Sequence, residues 1–480
     1  MTDEALHPDL CIIGAGAAGL SVAASAAAFG VRTVLIEEGE MGGECLHTAC
    51  IPSKALLAAA HVAKWPSLAP FVARELVPPV LDHERVLAHV QNVIAEIAPA
   101  DSSARYTALG IEVLNARAEF VDRTTVKAGE KLIRARRFVI ASGSQPSIPE
   151  IAGLDAVSYL TNETVFALSE RPRHLLVIGA GSVGAELGQA FRRLGSEVTL
   201  FEQERLLAHE DPEVAGVIRG ALKRDGIGLH EGIRLAAVAA PSNGVRLHYS
   251  DQTSAPRQET GTHLLIAAGR TPRTQGLGLE NGWIKYDKSG IIVDHGMRTS
   301  NPRVFAIGDC IGGVFAGWRF THAASLQAGL VIRSAFFRLP ARFDPLLVPR
   351  VTFTDPEVAS VGLSEDDARK RHGAIRICRF PLGETDRARA EGEREGLVKL
   401  VAAPNGRLLG AAICGKAAAE MIPLWTLALQ EKMKLSKIAA LVTPYPTLSE
   451  ASRRAALEFY TPLARRPFMR RLLGVLRRFG

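Results

Sequence analysis

The sequence predicts an α/β protein with two Rossmann-like dinucleotide-binding domains, followed by a domain of the α+β type. Two observations support this fold class in the 480-residue chain. An apolar run followed by Gly-x-Gly-x-x-Gly occurs twice, at residues 10–19 and 175–184, and each time a helix and a second strand ending in an acid follow. From about residue 346, strand and helix patterns continue without a glycine-rich turn.

The first unit begins with an apolar strand and enters an Ala-rich helix, predicted at about residues 17–29. Its glycines allow a tight turn and the close approach of a pyrophosphate, whose charge the helix N-terminus stabilises. The next strand, predicted at residues 33–36, ends at Glu37, which is placed to bind ribose hydroxyls. The glycines of this unit are Gly14, Gly16 and Gly19.

The second unit repeats this layout, and its second strand, predicted at residues 197–201, ends at Glu202. An acid at this position favours the free 2′-hydroxyl of NAD, because it would repel a 2′-phosphate. Arg205 is near, but no obvious phosphate clamp follows, so we expect NADH rather than NADPH. Two intact units predict two ligands, a tightly held flavin and an exchanging nicotinamide. The glycines of this unit are Gly179, Gly181 and Gly184.

Later segments continue the same pattern. Residues 138–144 and 264–270 each predict a buried strand that ends in a small-residue turn, and residues 299–309 end at Asp309, an acid able to bind a ribityl hydroxyl. In the α+β part, Asn405-Gly406 predicts a hairpin turn between two strands. Its strands are predicted at 351–354, 396–401 and 408–414, and its helices near 416–432 and 448–460.

Cys45 and Cys50, separated by four residues, follow the first unit closely. Such a pair opens and closes as a disulfide within one segment, and beside a flavin it moves electrons in pairs. Two buried structural thiols explain this spacing about as well, whereas zinc would need a second ligand pair at metal spacing, so we predict no metal site. Six cysteines are too few for a disulfide scaffold. Without a signal-peptide pattern, we expect a reducing, cytoplasmic setting, in which a close pair is catalytic.

The net charge of +7 is placed unevenly, because six arginines crowd residues 465–480. This segment is either a solvated basic tail or an amphipathic segment after Pro467 that docks on an anionic membrane or an acidic protein. No nucleic-acid motif accompanies the charge, so we expect no nucleic-acid partner. The sequence also has no uninterrupted apolar span of transmembrane length. The apolar residues near one face are Phe468, Leu472, Val475 and Phe479.

Taken together, these motifs resemble those of the pyridine nucleotide-disulfide oxidoreductases, which include dihydrolipoamide dehydrogenase, glutathione reductase and mercuric reductase. The resemblance covers about residues 8–462, and Gly-Gly-x-Cys-x4-Cys-x-Pro-Ser-Lys at residues 42–54 is its most specific motif. It implies a homodimer whose active sites take residues from both subunits. It also implies four parts: an FAD domain at 1–149, an inserted NAD domain at 150–272, the second, central part of the FAD domain at 273–345, and a dimer-interface domain with the basic tail at 346–480.

The resemblance also implies residue roles. Cys50 would be the charge-transfer thiolate that faces the flavin, and Cys45 the interchange thiol that attacks the substrate. Lys54 would pair with Glu186 beside the flavin, although a surface lysine and a solvated glutamate are the alternatives. Electrons would pass from NADH through FAD to the Cys pair and on to an acceptor. Further candidate cofactor-binding residues are Gly43, Thr48, Ser142, Gly143, Gly269 and Gly308.

The chain departs from the disulfide-reducing relatives at Tyr445, where their His-Pro-x-x-x-Glu motif has histidine, although Glu450 keeps the orienting acid. A phenol titrates about 3.5 pH units above an imidazole and is a poor general base at neutral pH. A tyrosine here resembles mercuric reductase, where it helps hold the metal, but no cysteine follows Cys414 to deliver Hg(II).

The acceptor therefore stays open between a disulfide, including a carrier-bound lipoyl group, Hg(II), and a quinone or other small oxidant. Two other classes of function compete with this one. In the first, the chain is a flavin diaphorase with bystander cysteines. In the second, it is a non-enzymatic flavin-binding protein that docks through its basic tail.

Overall fold

Three main sheets organise the residues that the computed structural model describes, which are 5–68, 81–242, 244–464 and 467–479. Two of the sheets are parallel and carry helices, and the third is antiparallel. The α/β class with a following α+β part is thereby confirmed.

The first sheet draws its five parallel strands from two distant parts of the chain. Their order is Val304–Ala306, Arg137–Ile140, Leu10–Ile13, Thr33–Glu37 and Glu112–Asn115. The central strand is buried along its whole length, as near-continuous apolar runs in parallel sheets are. Helices Ala17–Ala28 and Thr321–Ala335 pack against each other and share its core.

The second sheet has four parallel strands, in the order Gly228–Glu231, Glu197–Glu202, His174–Ile178 and His263–Ile266. Helices Ser182–Arg193 and Pro212–Arg224 belong to this unit. An antiparallel sheet of three strands lies in the chain between the strands Gly228–Glu231 and His263–Ile266, and it is formed by Arg234–Ala239, Val245–Ser250 and Pro256–Gly261.

The third sheet has five antiparallel strands, in the order Arg350–Thr352, Glu357–Gly362, Leu408–Gly415, Leu397–Ala402 and Arg376–Pro381. The predicted hairpin is confirmed, because the two strands that flank Asn405-Gly406 pair antiparallel. Helices Ala418–Gln430 and Glu450–Glu458 lie where the pattern predicted them. They are joined through Trp425, whose Nε1 donates a hydrogen bond to Ser452 over 3.2 Å.

The remaining elements are short or connect these sheets. The other helices are Gly43–His47, Cys50–Leu68, His83–Ile97, Ser103–Ala108, Glu365–His372, Asp386–Glu391, Leu435–Ala439, Thr461–Ala464 and Pro467–Leu476. The other strands are Ala118–Phe120, Val126–Ala128, Lys131–Ile133, Ser144–Pro146, Arg270–Pro272, Tyr286–Asp287 and Gly290–Ile291. Of the six tail arginines, Arg465, Arg466 and the side chain of Arg470 lie outside the described residues.

A buried lysine ties the third sheet to the second. The Lys399 side chain is only 4% exposed, and its Nζ lies 2.7 Å from both Asp211 and Glu213, at the start of a helix of the second unit. It also lies 2.9 Å from Glu365. Hydrogen bonds from Arg379 and from Lys399 lower the pKa of Glu213 to about 2. The ion cluster therefore fixes the third sheet against the second nucleotide unit.

We expect Lys399→Met to lower the free energy of unfolding by about 3 kcal/mol, because it leaves the carboxylate of Asp211, which is 8% exposed, without the cation that it contacts. Lys416→Met is the matched control, since Lys416 is 47% exposed in its pair with Glu391 and surface pairs contribute about 0–1 kcal/mol. Urea unfolding curves measure the difference. Because the pKa of Glu213 is lowered, its contribution is present above pH 4.5 and lost as the pH falls toward 2. Equal stability of the two variants would contradict this role.

Candidate active site

A cavity of about 1080 Å³ lies between the first parallel sheet and the helices that carry the cysteine pair and Glu186. This volume exceeds that of most pockets that bind drug-sized molecules, and it suits a larger ligand such as a dinucleotide. Most of the predicted site residues line it: Gly14, Gly16, Glu37, Gly43, Cys45, Thr48, Cys50, Lys54, Ser142, Gly143, Glu186, Gly308 and Asp309. The lining does not include Gly19, Gly179, Gly181, Gly184, Glu202, Gly269, Tyr445 or Glu450.

Gly14 and Gly16, in the first glycine turn, have different structural roles. A Cβ on Gly14, which has φ of +102°, would lie 2.3 Å from the carbonyl oxygen of Ala141, so packing requires glycine there. A Cβ on Gly16 would make only an ordinary contact, 3.9 Å from the Cα of Gly43. Gly16 is the N-cap of helix Ala17–Ala28 and no side chain caps the helix, so its first N–H groups are free to bind an anion. This cradle fits the pyrophosphate of a dinucleotide.

The two predicted ribose-binding acids hold the glycine turns. Glu37 accepts hydrogen bonds from the N–H groups of Ala15, at 2.5 Å, and Gly39, at 2.8 Å. Glu202 does the same in the second unit, accepting from the N–H of Ala180 over 2.7 Å. Each carboxylate has further lone pairs, so ribose binding stays a prediction for both acids.

The cysteine pair lies where two helices meet a third. Cys45 belongs to helix Gly43–His47, Cys50 begins helix Cys50–Leu68, and both are free thiols. The hydroxyl of Thr321, at the start of another helix, lies 3.3 Å from the sulfur of Cys45 and 3.5 Å from that of Cys50. Sequence reasoning missed Thr321, because nothing in its local pattern indicates a contact more than 270 positions away.

The environment gives the two sulfurs different protonation states. Hydrogen bonds from Cys45 and Thr321, together with the charge of Lys54, lower the pKa of Cys50 against the opposing effect of burial. The hydrogen bond to Cys50 and burial raise the pKa of Cys45. The reduced pair is therefore a Cys50 thiolate that accepts a hydrogen bond from a protonated Cys45.

Lys54 and Glu186 form a close ion pair, with 2.8 Å between Nζ and Oε2. The other oxygen of Glu186 accepts the backbone N–H of Phe353 over 2.8 Å. The Lys54 ammonium also lies 4.4 Å from the centre of the Phe353 ring, a cation–π contact. Glu186 is buried and both of its oxygens are bonded, so the lysine is held at the cavity wall beside the thiolate.

A second ion cluster fixes the segment before Cys45. Glu44 pairs with the guanidinium groups of Arg270 and Arg273. Arg270 also donates to Ser144 over 2.7 Å, and Ser144 donates to Asp309 over 2.7 Å. Sequence reasoning missed both arginines, although Arg270 follows a predicted strand and small-residue turn, where side chains that reach a site are common.

Tyr445 and Glu450 do not line the cavity of their own chain, and their side-chain hydrogen bonds go to other residues. The phenol of Tyr445 is 71% exposed and donates to Asp386 over 2.9 Å, a hydrogen bond that raises the pKa of the phenol. Glu450 is 6% exposed and accepts from Arg454 over 2.8 Å. Neither can act on the cysteine pair unless a second subunit brings it there.

Comparison with known protein families identifies the class. Residues 8–328 match the family described as pyridine nucleotide-disulphide oxidoreductase, and residues 348–456 match the dimerisation domain of the same family. The chain therefore belongs to the pyridine nucleotide-disulphide oxidoreductases. It is an enzyme of this flavoprotein family, whose cofactors are FAD and a pyridine nucleotide.

The relatives differ in the acceptor that their names give. The chain is 34% identical to the mercuric reductase of Lysinibacillus sphaericus, over 94% of the chain and 82% of that enzyme. It is 35% identical to the dihydrolipoyl dehydrogenase of Thermus scotoductus, over 93% of the chain and 96% of that enzyme. Similarity alone therefore leaves the acceptor undetermined.

Solved structures agree with the fold over almost the whole chain. The HOCl-induced flavoprotein disulfide reductase RclA of Escherichia coli superposes with a TM-score of 0.81 at 25% identity, covering 94% of this chain and 99% of RclA. LpdA of Mycobacterium tuberculosis gives 0.84 at 26% identity, with the same coverage. Among the helices of the described ranges, none combines the length and apolar character needed to cross a bilayer.

We expect Thr321→Val to raise the pKa of the Cys50 thiolate by about one pH unit, because a hydrogen bond to a charged group contributes about 1.5 kcal/mol. The measurement is the long-wavelength thiolate-to-flavin absorbance of the two-electron-reduced enzyme as a function of pH. Thr321→Ser keeps the hydroxyl and should keep the original profile. An unchanged profile in the valine variant would show that Thr321 does not stabilise the thiolate.

Proposed function

We propose that this enzyme carries electrons from NADH through FAD to the Cys45–Cys50 pair, and from that pair to a disulfide or to Hg(II). The observation that carries the proposal is the paired sulfurs at the wall of the large cavity, one favoured as a thiolate and the other as a thiol. Bound FAD would supply two-electron transfer between the nicotinamide and the sulfur pair.

The residues around the cavity support FAD as the resident ligand. The uncapped helix start at Gly16 would bind the pyrophosphate, Glu37 a ribose and Asp309 a ribityl hydroxyl. The Lys54 ammonium would favour negative charge on the reduced ring and on the Cys50 thiolate, and Glu186 holds it in place.

Reduction of a disulfide acceptor would proceed by two exchanges. The Cys45 thiol loses its proton and attacks one acceptor sulfur, forming a mixed disulfide and releasing the first acceptor thiol after protonation. The Cys50 thiolate then attacks the Cys45 sulfur, which forms the internal disulfide and releases the second acceptor sulfur as a thiolate that takes a proton from solvent. Two electrons leave the pair in each cycle, and the Thr321 hydroxyl contacts both sulfurs of the reduced pair.

Tyr445 bears on the choice of acceptor. Its phenol already donates to Asp386, which raises its pKa, so it is a poor base for taking the proton from Cys45. Acceptors that need no base at this position are favoured, namely disulfides with acidic thiol leaving groups and Hg(II). The similarity to mercuric reductases supports Hg(II) as a candidate, whereas the sequence contains no cysteine after Cys414 to deliver it.

We also propose NADH as the donor, a homodimer as the active form, and the four-part domain division given above. Glu202 at the end of its strand supports NADH, because a carboxylate would repel the 2′-phosphate of NADPH. The matched dimerisation domain supports the homodimer, and so does the position of Tyr445 outside the cavity of its own chain.

Variants of the cysteine pair test the main proposal. A screen of lipoamide, glutathione disulfide, Hg(II) with excess thiol, and quinones first identifies an acceptor that supports NADH oxidation. With that acceptor, we expect Cys45→Ser and Cys50→Ser to reduce the rate of NADH oxidation to background. Cys378→Ala is the matched control, because this buried cysteine belongs to the third sheet and does not line the cavity. Full activity of both serine variants would instead support a flavin diaphorase with bystander cysteines.

Replacement of Tyr445 tests the acceptor argument. We expect Tyr445→His to gain dihydrolipoamide activity, because an imidazole titrates near neutral pH and can accept the proton of Cys45. Tyr445→Phe should lower turnover with the native acceptor, because it removes a hydroxyl that could donate a proton or bind a metal in the site of the partner subunit. Tyr286→Phe is the matched control, since Tyr286 is also an exposed tyrosine bonded to a carboxylate, that of Glu280. Steady-state rates unchanged in both Tyr445 variants with every acceptor would exclude a role for this residue.

A further inference from the structure

Helix Pro467–Leu476 lies outside both family matches, the second of which ends at residue 456. All the residues from 471 to 479 are exposed, including large apolar ones that a water-soluble surface does not need. Phe468 is 70% exposed, and the other exposed large apolar side chains of this segment are Leu472, Leu473, Val475, Leu476 and Phe479.

The segment separates apolar from basic residues around its axis. Successive residues of an α-helix are about 100° apart. On this spacing Arg471 and Gly474 fall opposite the apolar side, and Arg477 and Arg478, in the turn that follows, continue the basic side. The apolar side comprises Phe468, Met469, Leu472, Leu473, Val475 and Leu476. An exposed segment with aromatic and aliphatic residues on one side and arginines on the other is typical of helices that lie at a membrane surface.

The charge of this segment determines which kind of surface it can bind. Residues 459–480 contain six arginines and no acidic residue, and these arginines account for six of the seven net positive charges of the chain. A second copy carries the same positive segment and the same excess charge, so the two basic segments would repel each other. A surface with anionic headgroups above an apolar interior complements both sides of the helix.

We propose that this helix binds the surface of anionic membranes. The ten-residue helix is about 15 Å long, whereas the hydrocarbon core is about 30 Å thick, so it would lie in the interface and not span it. Its apolar side would insert at the boundary between headgroups and acyl chains, and the arginines would contact lipid phosphates. A dimer would present two such helices, and two weak anchors together hold a protein more firmly than one. This proposal is independent of which acceptor the enzyme reduces.

Vesicle sedimentation of the purified full-chain holoenzyme tests the proposal. We expect at least about tenfold stronger binding to phosphatidylcholine vesicles that contain phosphatidylglycerol than to pure phosphatidylcholine vesicles. Binding should weaken between about 0.1 M and about 1 M salt, as the Debye length falls from about 10 Å to about 3 Å. Equal binding to both kinds of vesicle, or none to either, would overturn the proposal.

Variants separate the two sides of the helix. Arg477→Ala with Arg478→Ala should weaken binding about 25-fold, since each basic residue near an anionic surface contributes about fivefold. Leu472→Glu with Leu476→Glu should abolish binding. Val314→Glu is the matched control, because Val314 is 78% exposed, lies outside the helix and does not line the cavity. Flavin content, diaphorase rate and dimer mass should not change in any variant.

Two results would contradict membrane binding by this helix. Retained vesicle binding in the double glutamate variant would show that the apolar side does not insert. Conversion of that variant to a monomer would show that the helix is a contact between subunits, and the membrane proposal would then fall.

Discussion

One buried carboxylate joins the parts of the protein that meet at the candidate active site. Glu186 belongs to the helix after the second glycine turn, binds Lys54 on the cysteine helix, and accepts the backbone N–H of Phe353 beside the third sheet. Both oxygens of this buried carboxylate are bonded, so the carboxylate tolerates little displacement. Loss of a partner would leave its charge unpaired in a low dielectric. The position of the cationic group next to the thiolate therefore depends on the assembly of all three sheets.

Local pattern predicted most of the fold. The strand predicted at residues 33–36 is Thr33–Glu37, and the helix predicted at 17–29 is Ala17–Ala28, because apolar periodicity and glycine turns act within a few residues. Within the third sheet, helix Leu435–Ala439 was not predicted, since five residues carry too little periodicity to distinguish a helix from a turn.

The candidate site was less accessible to sequence reasoning. The Lys54–Glu186 pair joins residues 132 positions apart, and only the family resemblance indicated it. Thr321, Arg270 and the pairing of Tyr445 with Asp386 were missed, because such contacts arise from packing between distant elements and leave no local pattern. The motif position of Tyr445 was visible in the sequence, but its hydrogen bond, which removes the phenol from use as a base, was not.

The carboxylates that end the second strand of each nucleotide unit have a consequence for ligand affinity. Because Glu37 and Glu202 already bond the N–H groups of Ala15 and Ala180, each loop has its shape before any ligand arrives. The entropic cost of ordering these loops is met during folding, so it does not reduce the affinity for the incoming molecule. Both loops are thus preorganised to a similar degree, so any difference in affinity between their ligands must come from contacts elsewhere.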